Sequence, residues 1–174
     1  MNNYSLTLWI VVAIQTVLLF LISTRMNSFV RKNPFEVAAE IPRLNILSIS
    51  NQKVDVKQML SQAKPTLIIF TSSRCSICKR LIPQISEWED FPAEVRLVNL
   101  GDAKEAKRFV EMTATTFPVS IIRLKDIANK YKVRTFPFSI LADPSGKIMK
   151  SGIIMPEDLE SWVSFRKKRP IVAM

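Results

Sequence analysis

The stretch of sequence that decides the fold, residues 65–83, reads PTLIIFTSSRCSICKRLIP. It opens with a proline and a short apolar run rich in β-branched residues, which is typical of a buried strand. A polar turn over residues 72–74 follows, and the apolar residues then recur at a helical period, at Leu81, Ile82, Ile85 and Trp88. Cys75 and Cys78 are therefore predicted to lie where a strand ends and a helix begins.

The spacing of these two cysteines, C-x-x-C, indicates redox chemistry. The thiolate is the nucleophile in disulfide exchange, and a helix N-terminus favours an anion because its N–H groups are unpaired and its backbone dipole is positive. Arg74 and Lys79 add positive charge that favours the thiolate. We expect Cys75, the more exposed residue at the helix start, to attack, and Cys78 to resolve the mixed disulfide.

Other interpretations of the pair are a buried inert pair, a structural disulfide and half of a metal site. A zinc site needs about four ligands, and the chain has no histidine and no third cysteine, so we expect no metal and no cofactor. Delivery of copper(I) would suit two thiolates, but methionine–cysteine clusters are missing. The absence of histidine also removes the usual general base, which argues against a hydrolase.

The chain is basic, with 25 lysines and arginines against 15 acidic residues and a net charge of +10. Nucleic-acid binding is one explanation, but the sequence has no glycine-rich phosphate loop, no zinc-finger spacing and no basic region leading into heptads. We therefore expect no nucleic-acid partner. Attraction to anionic membrane surfaces, or solubility alone, explains the charge as well.

The N-terminal residues 1–24 carry no charged side chain, and the uncharged stretch over residues 4–24 is 21 residues long, enough for one spanning helix in a lipid bilayer. A cleaved signal peptide should have a basic start and a small-x-small cleavage site, and neither is present. We predict a transmembrane anchor over residues 1–24, a linker over residues 25–43 and a redox domain over residues 44–174.

The orientation of this anchor is less clear from the charges. Arg25, Arg31 and Lys32 follow the apolar stretch, and the positive-inside rule taken alone would keep the domain in the cytoplasm. That rule is weak where a large domain follows, and a tethered redox domain suits an oxidising compartment. We expect a single-pass protein of the cell membrane with an extracytoplasmic redox domain.

The order of elements in the domain predicts an α/β fold. Two short strands within residues 44–56 precede the strand and helix around the cysteines. A strand, two helices, a hairpin and a last helix follow. The turn of the hairpin is marked by Asp143-Pro144-Ser145-Gly146. Strands that alternate with helices imply parallel pairing, and the hairpin adds antiparallel strands, so we expect a mixed central sheet flanked by helices.

Two separated motifs give a family resemblance over roughly residues 44–165. The first is CSICK at residues 75–79, with Pro83 five residues after the second cysteine. The second is YKVRTFPFSIL at residues 131–141, followed by Asp143 and Gly146. Together they resemble the thioredoxin superfamily. With the apolar N-terminus, the chain looks like the membrane-anchored, extracytoplasmic branch, and its pattern is similar to the methylamine-utilisation accessory thioredoxins, which are thought to assist disulfide formation in a partner enzyme.

The resemblance implies a cis-proline beside the cysteines, at Pro137. Cis X-Pro bonds occur at tight turns, and in such a loop the carbonyl and N–H of Phe136 can pair with an extended substrate chain next to the thiolate. Phe136 and Pro137 are therefore the expected substrate groove. Without the resemblance, an ordinary trans proline at the start of a strand is the simpler interpretation.

The sequence departs from the family at three positions around the cysteines. Thioredoxins carry tryptophan where this chain has Arg74, and a buried acid where it has Ile69. Some anchored relatives place a glutamate where it has Leu81. The carboxylate that would help to deprotonate the resolving cysteine, Cys78, is therefore not evident.

The leading hypothesis is a membrane-tethered thiol–disulfide oxidoreductase that acts on the thiols or disulfides of a partner protein and exchanges electrons with a redox partner. The sequence does not say whether it oxidises, reduces or isomerises. The alternative hypothesis is a non-enzymatic, membrane-anchored binding module of the same fold. In that case Cys75 and Cys78 form a static disulfide, and basic runs such as residues 166–169 hold the partner or the lipid surface.

Overall fold

The structure is a computed structural model that describes residues 3–30 and 35–164. A mixed sheet forms the centre of the domain that follows the N-terminal helix. Its seven strands in these residues are β1 (Ile46–Ser48), β2 (Lys53–Val54), β3 (Thr66–Ser72), β4 (Glu94–Leu100), β5 (Val119–Ile122), β6 (Phe138–Ala142) and β7 (Ile148–Ile153). Their order across the sheet is β2-β1-β5-β4-β3-β6-β7. The β3–β4 and β4–β5 pairs are parallel and the others antiparallel. The predicted mixed sheet is confirmed.

The helices of the described residues are α1 (Asn3–Val30), α2 (Ser76–Glu87), α3 (Ala103–Thr113) and α4 (Leu159–Val163). Short 3-10 turns lie at Val56–Met59 and Pro156–Asp158. The sequence predicts a further helix over residues 124–131. There the chain makes a short helical stretch that ends in a π turn, Asp126–Lys130, closed by a hydrogen bond from the Tyr131 N–H to the Asp126 carbonyl.

The interior strand β3, between β4 and β6, is buried on both faces of the sheet, which explains its continuous apolar run. Leu67 and Ile69 belong to one core, Ile68 and Phe70 to the other, and all four are 0% exposed. We call the first the helix-side core because residues of α2, α3 and α4 fill it. The second is the Phe35-side core, which is covered by short turns and by the chain around Phe35.

The segment from Phe35 to Arg43, which the sequence assigns to the linker, packs against the domain. Phe35 is 0% exposed, and its ring lies 5.6 Å from the ring of Phe138 and 6.1 Å from that of Tyr131, centroid to centroid. The Ala38 N–H donates to the Ile148 carbonyl at 2.7 Å. This segment therefore extends the Phe35-side core beyond the boundary expected at residue 44.

The turn between β6 and β7 is held by the carboxylate of Asp143. It accepts hydrogen bonds from the Ser145 hydroxyl at 2.6 Å and from the backbone N–H groups of Ser145 and Lys147, each at 2.9 Å. These bonds favour the charged carboxylate and therefore lower the pKa of Asp143 from its ordinary 3.8. The bond from the Ser145 hydroxyl has the largest effect. Gly146 adopts a positive φ of 87° here, which glycine tolerates without strain. The predicted hairpin is confirmed.

Replacing Asp143 with alanine is expected to destabilise the protein at neutral pH and to have less effect in acid. The folded-state pKa lies below the unfolded value, so the carboxylate contributes stability above that value, and the contribution is lost as the pH falls through the folded-state pKa. Urea midpoints measured from about pH 7 to about pH 3 check this. Ser145→Ala, which removes one of the three bonds, should lose part of the same pH-dependent stability. A wild-type advantage that is constant over this range would contradict the assignment.

The chain divides into two compact units, residues 1–32 and residues 33–174. The first unit holds α1. The side chains described on α1 include large apolar ones that are exposed, among them Trp9 at 70% and Phe20 at 68%. Judged on the described residues, none of the helices is both long and apolar enough to span a bilayer. The predicted transmembrane anchor therefore stays a prediction.

Candidate active site

The two cysteines lie directly after the end of β3 and form a disulfide bond. The Cys75 N–H donates to the Ser72 carbonyl at 3.0 Å and closes the turn. Cys75 is the N-cap residue of α2, and its sulfur accepts the Cys78 N–H at 3.1 Å. The predicted strand, turn and helix around the cysteines are confirmed. One N–H group of the first helical turn, that of Cys78, therefore donates to the Cys75 sulfur.

The two sulfur-bearing residues differ in access to solvent. Cys75 is partly exposed, whereas Cys78 is 0% exposed and belongs to the helix-side core together with Leu81 and Ile82. Cys75 is therefore the cysteine that solvent reaches, while Cys78 is enclosed by the protein. This asymmetry agrees with an attacking role for Cys75 and a resolving role for Cys78.

Two cationic residues lie close to Cys75 in sequence. Arg74 is exposed, Lys79 is partly exposed, and the first turn of α2 has no acidic residue. Neither cation forms an ion pair with a residue in the described part of the chain. Both are thus available to interact with an anion at Cys75, and they add to the positive end of the helix dipole.

Pro137 and Cys75 lie at the same end of two neighbouring strands, β6 and β3. β6 runs antiparallel to β3, and Phe138 is paired with Phe70, so β6 begins beside the end of β3. The Phe136–Pro137 peptide bond, which directly precedes β6, is cis. Phe136 and Cys75 are both partly buried against the helix-side core. The structure therefore brings the two separated sequence motifs to one end of the sheet.

The environment of Cys78 is apolar at the two positions where the family resemblance leads us to look for an acid. Ile69 and Leu81 are both 0% exposed and belong to the same core as Cys78. No carboxylate stands at either position. The thiol of Cys78 therefore has no carboxylate at either position to accept its proton, which agrees with the expectation from the sequence.

Buried polar groups near this end of the sheet were not singled out from the sequence. Thr71 and Asn99 are paired across β3 and β4, both are 0% exposed, and the Thr71 hydroxyl donates to Asn99 Oδ1 at 3.2 Å. Ser139 on β6 is also 0% exposed. The signal available in the sequence is a polar residue between two apolar ones, as Asn99 lies between Val98 and Leu100 and Ser139 between Phe138 and Ile140.

Other features of the chain add nothing to this site. A cleft of about 700 Å³ lies along β1 and β2, and it is lined by none of the predicted site residues. Within residues 3–30 and 35–164 there is no group of three or more side chains of the kind that bind a metal ion. The basic run at residues 166–169 lies outside the described residues.

The chain belongs to the thioredoxin-like domain family, whose sequence profile matches residues 52–167. The resemblance to the thioredoxin superfamily is confirmed. Among curated relatives it is similar to the methylamine utilization protein MauD of Methylophilus methylotrophus, with 25% identity over 119 residues that cover 68% of this chain and 56% of that protein. It is also similar to the thiol-disulfide oxidoreductase ResA of Geobacillus thermodenitrificans, with 26% identity over 141 residues that cover 77% and 80% of the two chains. The chain thus spans just over half the length of MauD.

Solved structures show the same fold. The thioredoxin domain of a thiol-disulfide oxidoreductase from Bacteroides vulgatus matches with a TM-score of 0.62 and 20% identity, covering 77% of this chain and 99% of that one. A thiol:disulfide interchange protein from Bacteroides sp. matches with a TM-score of 0.59 and 19% identity, covering 78% and 95%. The prediction of a thiol–disulfide oxidoreductase is confirmed at the level of the homologues and the paired cysteines.

Proposed function

We propose that this protein is a membrane-tethered thiol–disulfide oxidoreductase that exchanges disulfides with a partner protein. The observation that carries the proposal is the asymmetric pair at the start of α2. Cys75 is partly exposed at a helix N-terminus, Cys78 is fully buried, and the two form a disulfide. Sequence similarity to ResA, a thiol-disulfide oxidoreductase, supports the same activity.

As an oxidant, the protein begins in the disulfide state. A substrate thiolate attacks the Cys75 sulfur, the Cys75–Cys78 bond breaks, and its electron pair leaves on Cys78 as a thiolate. A second substrate thiolate then attacks the substrate sulfur of the mixed disulfide. The substrate leaves with a disulfide bond, and the protein retains both electrons on Cys75 and Cys78.

As a reductant, the same residues act in reverse. The Cys75 thiolate attacks a substrate disulfide and releases one substrate thiolate. Cys78 then loses its proton and attacks Cys75, which restores the internal disulfide and releases the second substrate thiolate. The direction depends on the reduction potential of the pair relative to those of its partners.

The chain around Phe136 is proposed to position the substrate. Phe136 lies two residues before Phe138, where β6 begins, and a cis peptide bond joins it to Pro137. An extended segment of a partner can pair with its carbonyl and N–H while its own sulfur approaches Cys75. Arg74 and Lys79 are proposed to hold Cys75 in its thiolate form through their positive charges.

The membrane tether is proposed from residues 4–24, whose uncharged length suits one spanning helix. Residues 25–34 would then join the anchor to the domain, which faces the extracytoplasmic side where disulfides form and persist. Extraction of membranes with alkaline carbonate tests this. The full chain is expected in the pellet, and a chain that begins at residue 33 in the supernatant. Full release of the intact chain would overturn the anchor.

Exchange activity separates the enzyme from a passive binding module. The full chain, in a glutathione redox buffer, is expected to accelerate disulfide exchange in a disulfide-bonded model peptide, and the double variant Cys75→Ser, Cys78→Ser is expected to give only the uncatalysed rate. Equal rates for the two proteins would overturn the proposed activity and favour the binding module.

A further inference from the structure

Ser139 is a buried hydroxyl that the proposed chemistry has not used. It is 0% exposed, and its Oγ has no hydrogen-bond partner among the residues that the structure describes. Buried polar atoms are nearly always hydrogen-bonded, because an unsatisfied one keeps the cost of losing its contact with water. A hydroxyl retained without a partner within an apolar strand therefore calls for a role in another state of the protein.

The strand register fixes the face of the sheet on which Ser139 lies. Its neighbour across β3 is Ile69. Along β6, Phe138 and Ile140 belong to the Phe35-side core, whereas Leu141 belongs to the helix-side core. Because side chains alternate along a strand, Ser139 faces the helix-side core, as Ile69 does.

That face also carries the buried cysteine. Cys78 is packed in the helix-side core with Ile69 and Leu141, the residues beside Ser139 across the ladder and along the strand. Ile69 and Leu81 are apolar, and Ser139 adds a buried hydroxyl to the face of the sheet on which Cys78 packs. In the oxidised state described here, Cys78 carries a disulfide sulfur, which is a weak acceptor.

We infer that Ser139 donates a hydrogen bond to the thiolate of Cys78 when the Cys75–Cys78 bond opens. This inference rests on the proposed function and deepens it. When a thiolate attacks Cys75, the electron pair of the broken bond leaves on Cys78, and the Ser139 O–H stabilises the charge that appears there. No proton is transferred in this step. In the reverse step, the same bond favours the thiolate form of Cys78 that attacks Cys75, after its proton has passed to water.

The hydrogen bonding of the Ser139 hydroxyl therefore differs between the oxidised and the reduced state. It lacks a strong acceptor while the pair is oxidised and gains a charged one when the pair is reduced. Hydrogen bonds to charged groups are among the stronger ones in proteins. Ser139 therefore stabilises the reduced form relative to the oxidised form, and it makes Cys78 a better leaving group.

The test uses the full chain and dithiothreitol as the probe. In the Ser139→Ala variant, reduction of the Cys75–Cys78 disulfide is expected to be slower by on the order of tenfold. Its redox equilibrium with glutathione should shift toward the disulfide by a similar factor, and the pKa of Cys78 should rise because its thiolate has lost a donor. Ser139→Thr, which keeps the hydroxyl, should restore most of the rate.

Thr66→Val is the matched control. Thr66 is 0% exposed on the neighbouring strand β3, and its hydroxyl oxygen accepts the Ser61 N–H at 2.8 Å. Its loss should lower stability and leave the reduction rate unchanged. Ser139→Ala should be at least as stable as wild type in the oxidised state, because an unsatisfied hydroxyl is removed.

Two results would overturn the inference. One is a Ser139→Ala variant with the wild-type reduction rate and glutathione equilibrium. The other is a Thr66→Val variant that slows reduction as much as Ser139→Ala does. These measurements need no protein substrate, so they remain decisive even if the intact chain fails to accelerate peptide disulfide exchange, which would overturn the proposed function alone.

Discussion

The Cys78→Ser variant is expected to accumulate a mixed disulfide on Cys75 when it is reduced and mixed with a disulfide-bonded peptide. Cys75 is partly exposed at the start of α2, so it can attack the peptide. Without the Cys78 thiol, nothing inside the protein releases the product. Non-reducing electrophoresis and mass spectrometry measure the adduct, which should form with the greater part of the protein.

The Cys75→Ser variant is the matched control for this experiment. Cys78 is 0% exposed, so its remaining thiol should form the adduct at least about a hundredfold more slowly. The same trap in membranes of the native host should hold the physiological partner on Cys75. Adduct that forms faster on Cys78 than on Cys75 would reverse the assigned roles of the two cysteines.

The Phe35→Ala variant is expected to lose about 3–5 kcal/mol of stability, the usual cost of removing a buried phenylalanine ring. The ring is 0% exposed and packs against those of Phe70, Tyr131 and Phe138, with centroids 5.6 to 6.1 Å away. Its removal opens a cavity in the Phe35-side core. Urea unfolding of the full chain measures the loss.

Val37→Ala is the control within the same segment. Val37 is 62% exposed, so its truncation should change stability by no more than about 0.5 kcal/mol. If Phe35→Ala were as mild as Val37→Ala, the segment before β1 would be a spacer rather than a part of the domain core.

Local signals account for the parts of the fold that the sequence predicts. The strand, turn and helix around Cys75 and Cys78 follow from an apolar run, a polar break and a helical period within one short stretch. The β6–β7 hairpin follows from Asp143 and Gly146, whose turn chemistry acts over four residues. Such features depend little on the rest of the chain.

Features that depend on distant contacts are harder to predict. Phe35 lies between prolines, which mark a break, and its burial arises from rings far along the chain. β5 is inserted between β1 and β4, an order that no local pattern gives. The part that Ser139 plays depends on its register opposite Ile69, which only the assembled sheet defines.

The candidate site shows the same division. The pair of cysteines was evident from spacing alone, but the cis form of Pro137 was expected from the family resemblance rather than from local pattern. The apolar environment of Cys78 could be anticipated from Ile69 and Leu81. The hydroxyl on the same face of the sheet could not, because Ser139 lies sixty-one residues away from Cys78 in sequence.

The role of Cys75 as an activated thiolate is tested most directly by its alkylation rate as a function of pH. In the Cys78→Ser variant, Cys75 is the single thiol, and its reaction with iodoacetamide follows the thiolate fraction. The helix N-terminus, Arg74 and Lys79 should bring the midpoint of this profile below the ~8.5 of a free thiol, and the rate at neutral pH above that of a free thiol. A midpoint at or above ~8.5, with no rate advantage at neutral pH, would contradict an activated nucleophile at Cys75.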